Sequence, residues 1–197
     1  SSDLLLRIDD EITREEVVSV CICGGEPFTR LDEFLKVVDR LSSGGVIVNC
    51  VSNGWYITPE ILNELSGKIH TIQFSLDAPK PETHDYIRGK KGAFERVIKA
   101  LSYVAESSFN RCELTFIPTR INYRSFRDLV KLAVDLGCVS RIRTQHLIQT
   151  GRGNHLALSL DPSEEKEFEE IFMRVYEEYK GKISLVFGDP WTHIKYW

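Results

Sequence analysis

Short apolar, β-branched segments alternate with amphipathic helical patterns along most of this chain, and only a few residues connect one segment to the next. The strand-like segments cover residues 19–23, 46–51, 69–74, 113–118, 141–148 and 183–187. Such an alternation is typical of βαβ units, so it predicts an α/β fold with a parallel sheet. Because the crossovers are right-handed, the C-terminal ends of all strands lie on one rim, where α/β proteins bind their ligands.

Caps and glycines mark the predicted helices between these strands. Thr58-Pro59 begins one helix, Gly137 ends another, and Asp161-Pro162 begins a charged helix that reaches about Lys180. The acidic run Glu164–Glu170 is predicted to be the solvated face of that helix. The segment His84–Gly89 is predicted to belong to a longer polar loop.

The composition is that of an ordinary soluble domain. The chain has 197 residues, of which 29 are acidic and 25 basic, so nothing suggests a nucleic-acid partner. No apolar run approaches the ~20 residues that span a bilayer, which argues against a membrane partner. The number of cysteines is odd, which predicts buried, reduced thiols in a cytoplasmic protein: Cys21, Cys23, Cys50, Cys112 and Cys138.

Four short polar motifs follow the predicted strands in order. They are Gly24-Gly25-Glu26-Pro27, Ser52-Asn53-Gly54, Ser75-Leu76-Asp77 and Ile87-Arg88-Gly89. Glycine lets a ligand approach the backbone, and a carboxylate beside free amides suits an ammonium or hydroxyl group. Taken alone, the first motif is better explained as a plain strand-to-helix turn, so the recurrence of polar loops on one rim carries the prediction of a binding site.

In this order and spacing, the four motifs resemble the core of the radical SAM superfamily. Pro118-Thr119-Arg120-Ile121-Asn122 and Thr150-Gly151-Arg152 are similar to the branch that matures peptides and sulfatases. The resemblance covers about residues 11–170 and implies a partial (β/α)6 TIM-like barrel. It further implies that residues 1–197 form a single core domain, and that a C-terminal extension starts at about residue 181.

The resemblance also implies an activity. Members bind S-adenosylmethionine beside a [4Fe-4S] cluster and cleave it reductively to a 5′-deoxyadenosyl radical, which abstracts hydrogen from a substrate. For this chain the implied substrate is a peptide or protein, or else a small molecule. The implied electron donor is a flavodoxin or ferredoxin.

The cofactor-binding residues that the resemblance implies lie in the rim loops: Gly24, Gly25, Glu26, Pro27, Ser52, Asn53, Ser75, Asp77, Arg88, Leu147 and Ile148. The Gly-Gly-Glu group would hold the methionine ammonium, while Ser75 and Arg88 would meet the carboxylate and the ribose. Asp77 would orient either the ribose or Arg88. Leu147 and Ile148, at the end of the predicted fifth strand, would flank the adenine. No catalytic residue is predicted.

The Cys-x3-Cys-x2-Cys loop that holds the cluster in this family is absent from the chain. Cys21 and Cys23 lie two apart on a strand, so their side chains share a face and cannot surround a cluster corner. All five cysteines are therefore predicted to be structural, and no metal ligand is predicted. We expect the cluster cysteines and the first strand upstream of Ser1, and no radical chemistry from the chain as printed.

Three further alternatives stay open in the sequence. A helix that starts near Thr13 meets the strand at Val20 too early, so either the helix is short or residues are missing near Val18. The function could instead be that of a cluster-less binding or scaffold module, or of an unrelated (β/α) barrel that binds phosphate at the same rim. Arg141 and Arg143 alternate with an isoleucine, so they point into the barrel towards an anionic group or form surface pairs.

Overall fold

The computed structural model describes residues 11–12, 14–109, 112–148 and 158–188. Its strands are β1 (Ser19–Ile22), β2 (Ile47–Ser52), β3 (Thr71–Ser75), β4 (Cys112–Phe116), β5 (Val139–Thr144) and β6 (Ser184–Val186). Its helices are α1 (Leu31–Ser43), α2 (Pro59–Leu65), α3 (Pro81–Arg88), α4 (Ala93–Glu106), α5 (Phe126–Leu136) and α6 (Pro162–Tyr179). Two 3-10 turns cover Pro27–Arg30 and Tyr123–Ser125.

The six strands form one all-parallel sheet in which the spatial order equals the chain order. The predicted α/β class and parallel sheet are thereby confirmed. An unreversed order is that of a (β/α) barrel, and β1 and β6 are the two edges of the described sheet. None of the described helices is long and apolar enough to cross a membrane.

The two faces of the sheet differ in chemistry because side chains alternate along each strand. One face lies under the helices, and its central strands are fully buried there with apolar residues such as Ile72, Phe74, Leu114 and Ile142. The opposite face, which we call the inner face, is mostly polar and carries Asn49, Gln73, Glu113, Thr115, Arg141 and Arg143. A polar inner face is what a barrel needs in order to hold a polar ligand.

Helix α6 docks on the sheet through aromatic side chains. Phe116 of β4 packs on Phe126 of α5 with ring centroids 5.2 Å apart, and Phe172 of α6 stacks on Phe126 at 5.4 Å. The acidic side chains of α6 lie on the outer side of this joint, where several of them form ion pairs at the surface. Three arginines pair with three of the α6 glutamates: Arg120 with Glu164, Arg124 with Glu167 and Arg127 with Glu178.

The segment predicted as a polar loop contains helix α3, so that prediction is wrong. Pro81 occupies its first turn, and Gly89 ends it in the left-handed region at φ 64°. The buried side of this helix carries His84, which is 1% exposed, where an ordinary helix carries an aliphatic residue. Without an apolar residue at every third or fourth position, the periodicity that predicts a helix is missing.

Two of the cysteines are not buried, contrary to the prediction. Cys21 of the edge strand β1 and Cys23 just after that strand are exposed, whereas Cys50 and Cys112 are buried and Cys138 is half-buried. All five thiols are free, as predicted. The pattern of hydrophobic neighbours around Cys21 predicts a strand correctly, but it does not predict that this strand is an edge.

The chain before β1 is helical at Glu11, Ile12 and Arg14, and a turn at Glu15–Glu16 leads from there towards β1. Whether the helix is short or residues are missing near Val18 stays a prediction. Several predictions lie outside the described residues: the Thr13 cap, the motif at 150–152, residues 1–10 and the end of the chain after residue 188.

Gly54 is placed where helix α4 crosses the loop after β2. Its φ is +77°, and a Cβ atom there would lie 3.0 Å from the Val97 Cα. Gly67 has the same φ of +77° but open space around its Cβ position, which makes it a matched control. We expect Gly67→Ala to cost about 1 kcal/mol through backbone strain, and Gly54→Ala to cost about 1–3 kcal/mol more through the clash. Urea unfolding of both variants measures the difference, and equal losses would contradict the close approach.

Candidate cofactor site

The loop after β1 depends on two glycines. Gly24 has a φ of +103° and Gly25 a φ of +53°, a region that other residues adopt at a cost. No heavy atom lies within 4 Å of the Cβ position of either residue. The glycines are thus required by the backbone and not by packing, and the space beside them lets a ligand reach the backbone.

The Glu26 carboxylate joins this loop to the loop after β2. Its Oε2 accepts a hydrogen bond from the Asn53 N–H at 2.7 Å, and its Oε1 accepts one from the Ser52 hydroxyl at 2.9 Å. Oε1 is also 3.4 Å from the Phe28 N–H, where it caps the first 3-10 turn. A carboxylate offers about four lone-pair positions, so one position remains for an incoming donor.

The Ser52-Asn53-Gly54 turn is held rigid by its own side chains. Ser52 is 2% exposed, and its hydroxyl accepts a hydrogen bond from the Gly54 N–H at 3.0 Å. The Asn53 Oδ1 accepts one from the Trp55 N–H at 2.9 Å. The structure therefore brings together the residues of the first two motifs that the sequence analysis singled out.

The third and fourth motifs meet in an ion pair. Asp77 is 1% exposed, and its Oδ2 lies 2.7 Å from the Arg88 Nε, although the N–H is not aligned for a hydrogen bond. Burial raises the pKa of Asp77, while the charge of Arg88 and the N–H of Ile117 oppose that rise. Arg88 Nη2 is buried and has no hydrogen-bond partner among the described residues.

His84 supports this pair, and the sequence analysis gave it no role there. Its Nδ1 accepts a hydrogen bond from the Asp77 N–H at 3.1 Å, so the imidazole is neutral and carries its proton on Nε2. Burial and the charge of Arg88 lower the pKa of His84 to about 4. A neutral His84 leaves Arg88 as the cation that faces Asp77.

Asn122 is a second residue whose role the sequence analysis missed. Its Nδ2 donates hydrogen bonds to the Asp77 carbonyl at 2.7 Å and the Ile117 carbonyl at 2.8 Å. Its Oδ1 accepts hydrogen bonds from the Thr119 N–H at 2.6 Å and the Thr119 hydroxyl at 2.8 Å. The Pro118–Asn122 motif was visible in the sequence, but only the fold shows that it fixes the loop of Asp77.

The remaining predicted residues lie in different surroundings. Ser75 is half-buried at the end of β3, next to Thr115 in the register of β4. The fifth strand ends at Thr144, so the prediction that it runs to Ile148 is wrong. Leu147 and Ile148 follow two exposed polar residues, and Ile148 is 74% exposed. Pro27 begins the 3-10 turn that Glu26 caps.

The polar groups of the described residues suit the binding of S-adenosylmethionine, but these residues do not provide the ligands of a [4Fe-4S] cluster. The free lone pair of Glu26 suits an ammonium, and the unpartnered Arg88 Nη2 suits a carboxylate or a ribose hydroxyl. The described residues contain no group of three or more cysteine, histidine or acidic side chains that could hold a metal ion. Cluster binding therefore needs ligands beyond those described here.

Comparisons with known proteins agree with this geometry. The family model of the "Radical SAM superfamily" matches residues 2–133. The mycofactocin maturase MftC of Mycolicibacterium smegmatis is 34% identical over 95% of this chain and 46% of its own length. The AdoMet-dependent heme synthase of Methanosarcina barkeri is 31% identical over 89% of this chain and 49% of its own length. The chain thus spans about half the length of these relatives.

A solved structure shows the same fold. The crystal structure of Streptococcus suis SuiB bound to S-adenosylmethionine superposes with a TM-score of 0.77, at 18% identity, over 92% of this chain and 42% of SuiB. SuiB bound to its precursor peptide SuiA superposes equally well, with a TM-score of 0.77. The family model that matches residues 2–133 and the 34% identity to the maturase rule out an unrelated phosphate-binding barrel and show that the chain belongs to the radical SAM superfamily.

Proposed function

We propose that this chain is the cofactor-binding core of a radical SAM enzyme that modifies a peptide. The observation that carries the proposal is the Glu26 carboxylate, which two strand-end loops hold in place while one lone pair stays free. The proposal places the protein in the cytoplasm and takes a flavodoxin or ferredoxin as the electron donor.

Each residue of the rim has a binding role in this proposal. Glu26 accepts from the ammonium of S-adenosylmethionine, beside the exposed backbone of Gly24 and Gly25. Arg88, oriented by Asp77, donates to the carboxylate or the ribose through its unpartnered Nη2. Ser75 meets the carboxylate, Ser52 and Asn53 hold Glu26, and Leu147 with Ile148 flanks the adenine. Held by these residues, S-adenosylmethionine would supply the hydrogen-abstraction chemistry of the family.

The ligands of the cluster remain a prediction. We expect the codons before Ser1 to encode a Cys-x3-Cys-x2-Cys motif. A gene without it, whose product shows no broad absorption near 400 nm after anaerobic reconstitution with iron and sulfide, would favour the second candidate. That candidate is a cluster-less binding or scaffold module.

The choice of a peptide substrate rests on the similarity to a maturase and to a protein crystallised with its precursor peptide. The similarity to a heme synthase keeps a small-molecule substrate as the alternative. Both substrates would reach the same inner face of the barrel, because the cofactor residues lie at its rim.

The test is the substitution Glu26→Gln in the full-length, anaerobically reconstituted protein. Glutamine keeps the shape but loses the negative charge and one acceptor, so we expect S-adenosylmethionine to bind about 10–100 times more weakly. Isothermal titration calorimetry measures the affinity, and release of 5′-deoxyadenosine measures cleavage.

The matched control is Glu33→Gln, because Glu33 pairs with Arg30 at 2.5 Å on the surface of α1. We expect this variant to bind the cofactor with the affinity of the unmodified protein. If both glutamine variants bind equally well, Glu26 is not the ammonium acceptor. If the unmodified protein neither binds nor cleaves the cofactor, the enzyme proposal itself is wrong.

A further inference from the structure

Two arginines on β5 face the inside of the barrel. Ile142 between them is fully buried under the helices, so the alternation of the strand places Arg141 and Arg143 on the inner face. In the register of the sheet, Arg141 lies beside Glu113 and Arg143 beside Thr115 of β4. The sequence left open whether these arginines are inside or on the surface, and the structure places them inside.

The charges of the inner face do not balance. The described strands carry three charged residues, namely Glu113, Arg141 and Arg143. Arg141 Nη1 pairs with the Glu113 carboxylate at 2.9 Å, and this pair uses the one acid. Arg143 makes no hydrogen bond or ion pair with another described residue, so one positive charge is left over.

The arginine pair also keeps an unused donor. Arg141 Nε is buried and finds no hydrogen-bond partner in the part of the chain that the structure describes. A buried N–H without a partner is costly, so such a donor commonly marks a place where a ligand or water completes the structure. The open donors of both arginines match the two oxygens of a carboxylate, which arginine binds in a bidentate way.

Arg143 lies near the rim, in the same part of the inner face as one predicted cofactor residue. It shares one row of the sheet with Thr115 and Ser75, and Ser75 is the last residue of β3. Arg88, by contrast, is already held by Asp77. The charge of Arg143 acts on Cys21 of β1: it lowers the pKa of Cys21, against the burial and the Cys23 thiol, which together raise that pKa.

We propose that Arg143, together with Arg141, forms a carboxylate-binding site on the inner face of the barrel that holds an anionic group of the substrate. The inference rests on the proposed function, since it places the substrate where the radical would be formed. A carboxylate is also present in S-adenosylmethionine, and the experiment separates the two sources.

The probe is glutarate, compared with the uncharged glutaramide at constant ionic strength. Thermal unfolding of the full-length protein is followed over a range of each compound, because a ligand of the folded state raises the midpoint with its concentration. We expect glutarate to raise the midpoint and glutaramide to leave it unchanged. In Arg143→Gln the apparent affinity for glutarate should fall at least about tenfold, as expected for the loss of a charged hydrogen-bond donor.

Two more variants interpret the result. Arg174→Gln removes the same charge from an exposed position of α6, so it should bind glutarate like the unmodified protein. Arg143→Lys keeps the positive charge but loses the planar set of guanidinium donors, so it should bind glutarate with intermediate affinity. An equal loss in Arg174→Gln and Arg143→Gln, or equal responses to glutarate and glutaramide, would overturn the proposal.

The affinity of Arg143→Gln for S-adenosylmethionine identifies the source of the carboxylate. An affinity within about twofold of the unmodified protein supports a substrate site, whereas a loss of about tenfold or more assigns the carboxylate to the cofactor and overturns the substrate assignment. Absence of cofactor cleavage in the unmodified protein, with intact glutarate binding, would refute the proposed function and leave this site standing.

Discussion

Replacing Asn122 by alanine is expected to lower the free energy of unfolding by about 3–5 kcal/mol, because it removes a buried side-chain amide that both donates and accepts hydrogen bonds. Asn122 is 1% exposed and makes four hydrogen bonds, to the carbonyls of Asp77 and Ile117 and to the backbone and hydroxyl of Thr119. Alanine leaves these groups without partners and without access to water. Urea unfolding of the variant measures the loss in the free energy of unfolding.

The control for Asn122 is Asn63→Ala on helix α2. Asn63 is exposed, so we expect its replacement to change the free energy of unfolding by less than about 0.5 kcal/mol. The variant Asn122→Ala should also bind S-adenosylmethionine more weakly, because Asp77 and Arg88 lose their fixed position. Similar unfolding curves for the two alanine variants would show that Asn122 does not hold the loop.

The second large effect is expected for Arg88→Met, which leaves the Asp77 carboxylate without its counter-charge. Breaking a buried ion pair on one side costs about 3 kcal/mol or more near neutral pH. The double variant Asp77→Asn/Arg88→Met carries no unpaired charge, so it should recover most of the stability. It should not recover the affinity for S-adenosylmethionine, since the arginine donor is still missing.

The loss of stability in Arg88→Met should depend on pH, and the direction of that dependence follows from the pKa of Asp77. Burial already raises the pKa of Asp77, and loss of the Arg88 charge raises that pKa further. The folded variant then takes up a proton at a higher pH than the unfolded chain, so its deficit relative to the unmodified protein shrinks as the pH falls. Unfolding free energies measured from neutral to acidic pH test this. A deficit that does not change with pH, or a double variant no more stable than Arg88→Met, would contradict it.

The sequence predicts what depends on local pattern. Alternation gives the strands, Thr58 caps α2 by accepting from the Ile61 N–H, and Gly137 ends α5 with a φ of 72°. The rim loops are predictable because similar polar motifs follow successive strands in order, although their residue types are those of ordinary turns. Each of these features is decided by neighbours in the chain, which the sequence displays directly.

The rest depends on contacts between distant residues. The local sequence predicts His84 to be a loop residue, and only the fold shows that it accepts a hydrogen bond from the Asp77 N–H. The exposure of Cys21 follows from the edge position of β1, and the pairing of Glu167 with Arg124 follows from how α6 docks. The hydrogen bond from Asn122 to the Asp77 carbonyl spans 45 positions of the chain, a separation over which no periodicity gives information.

Hydrogen bonds between neighbouring βα units determine which parts of the molecule a bound ligand would stabilise. Glu26 of the first unit is held by Ser52 and Asn53 of the second, and Asp77 of the third is held by Asn122 after β4. A cofactor bound at the rim would therefore slow amide hydrogen exchange along β2, β3 and β4 and not only in the loops it contacts, since those strands can open only when the linked units separate.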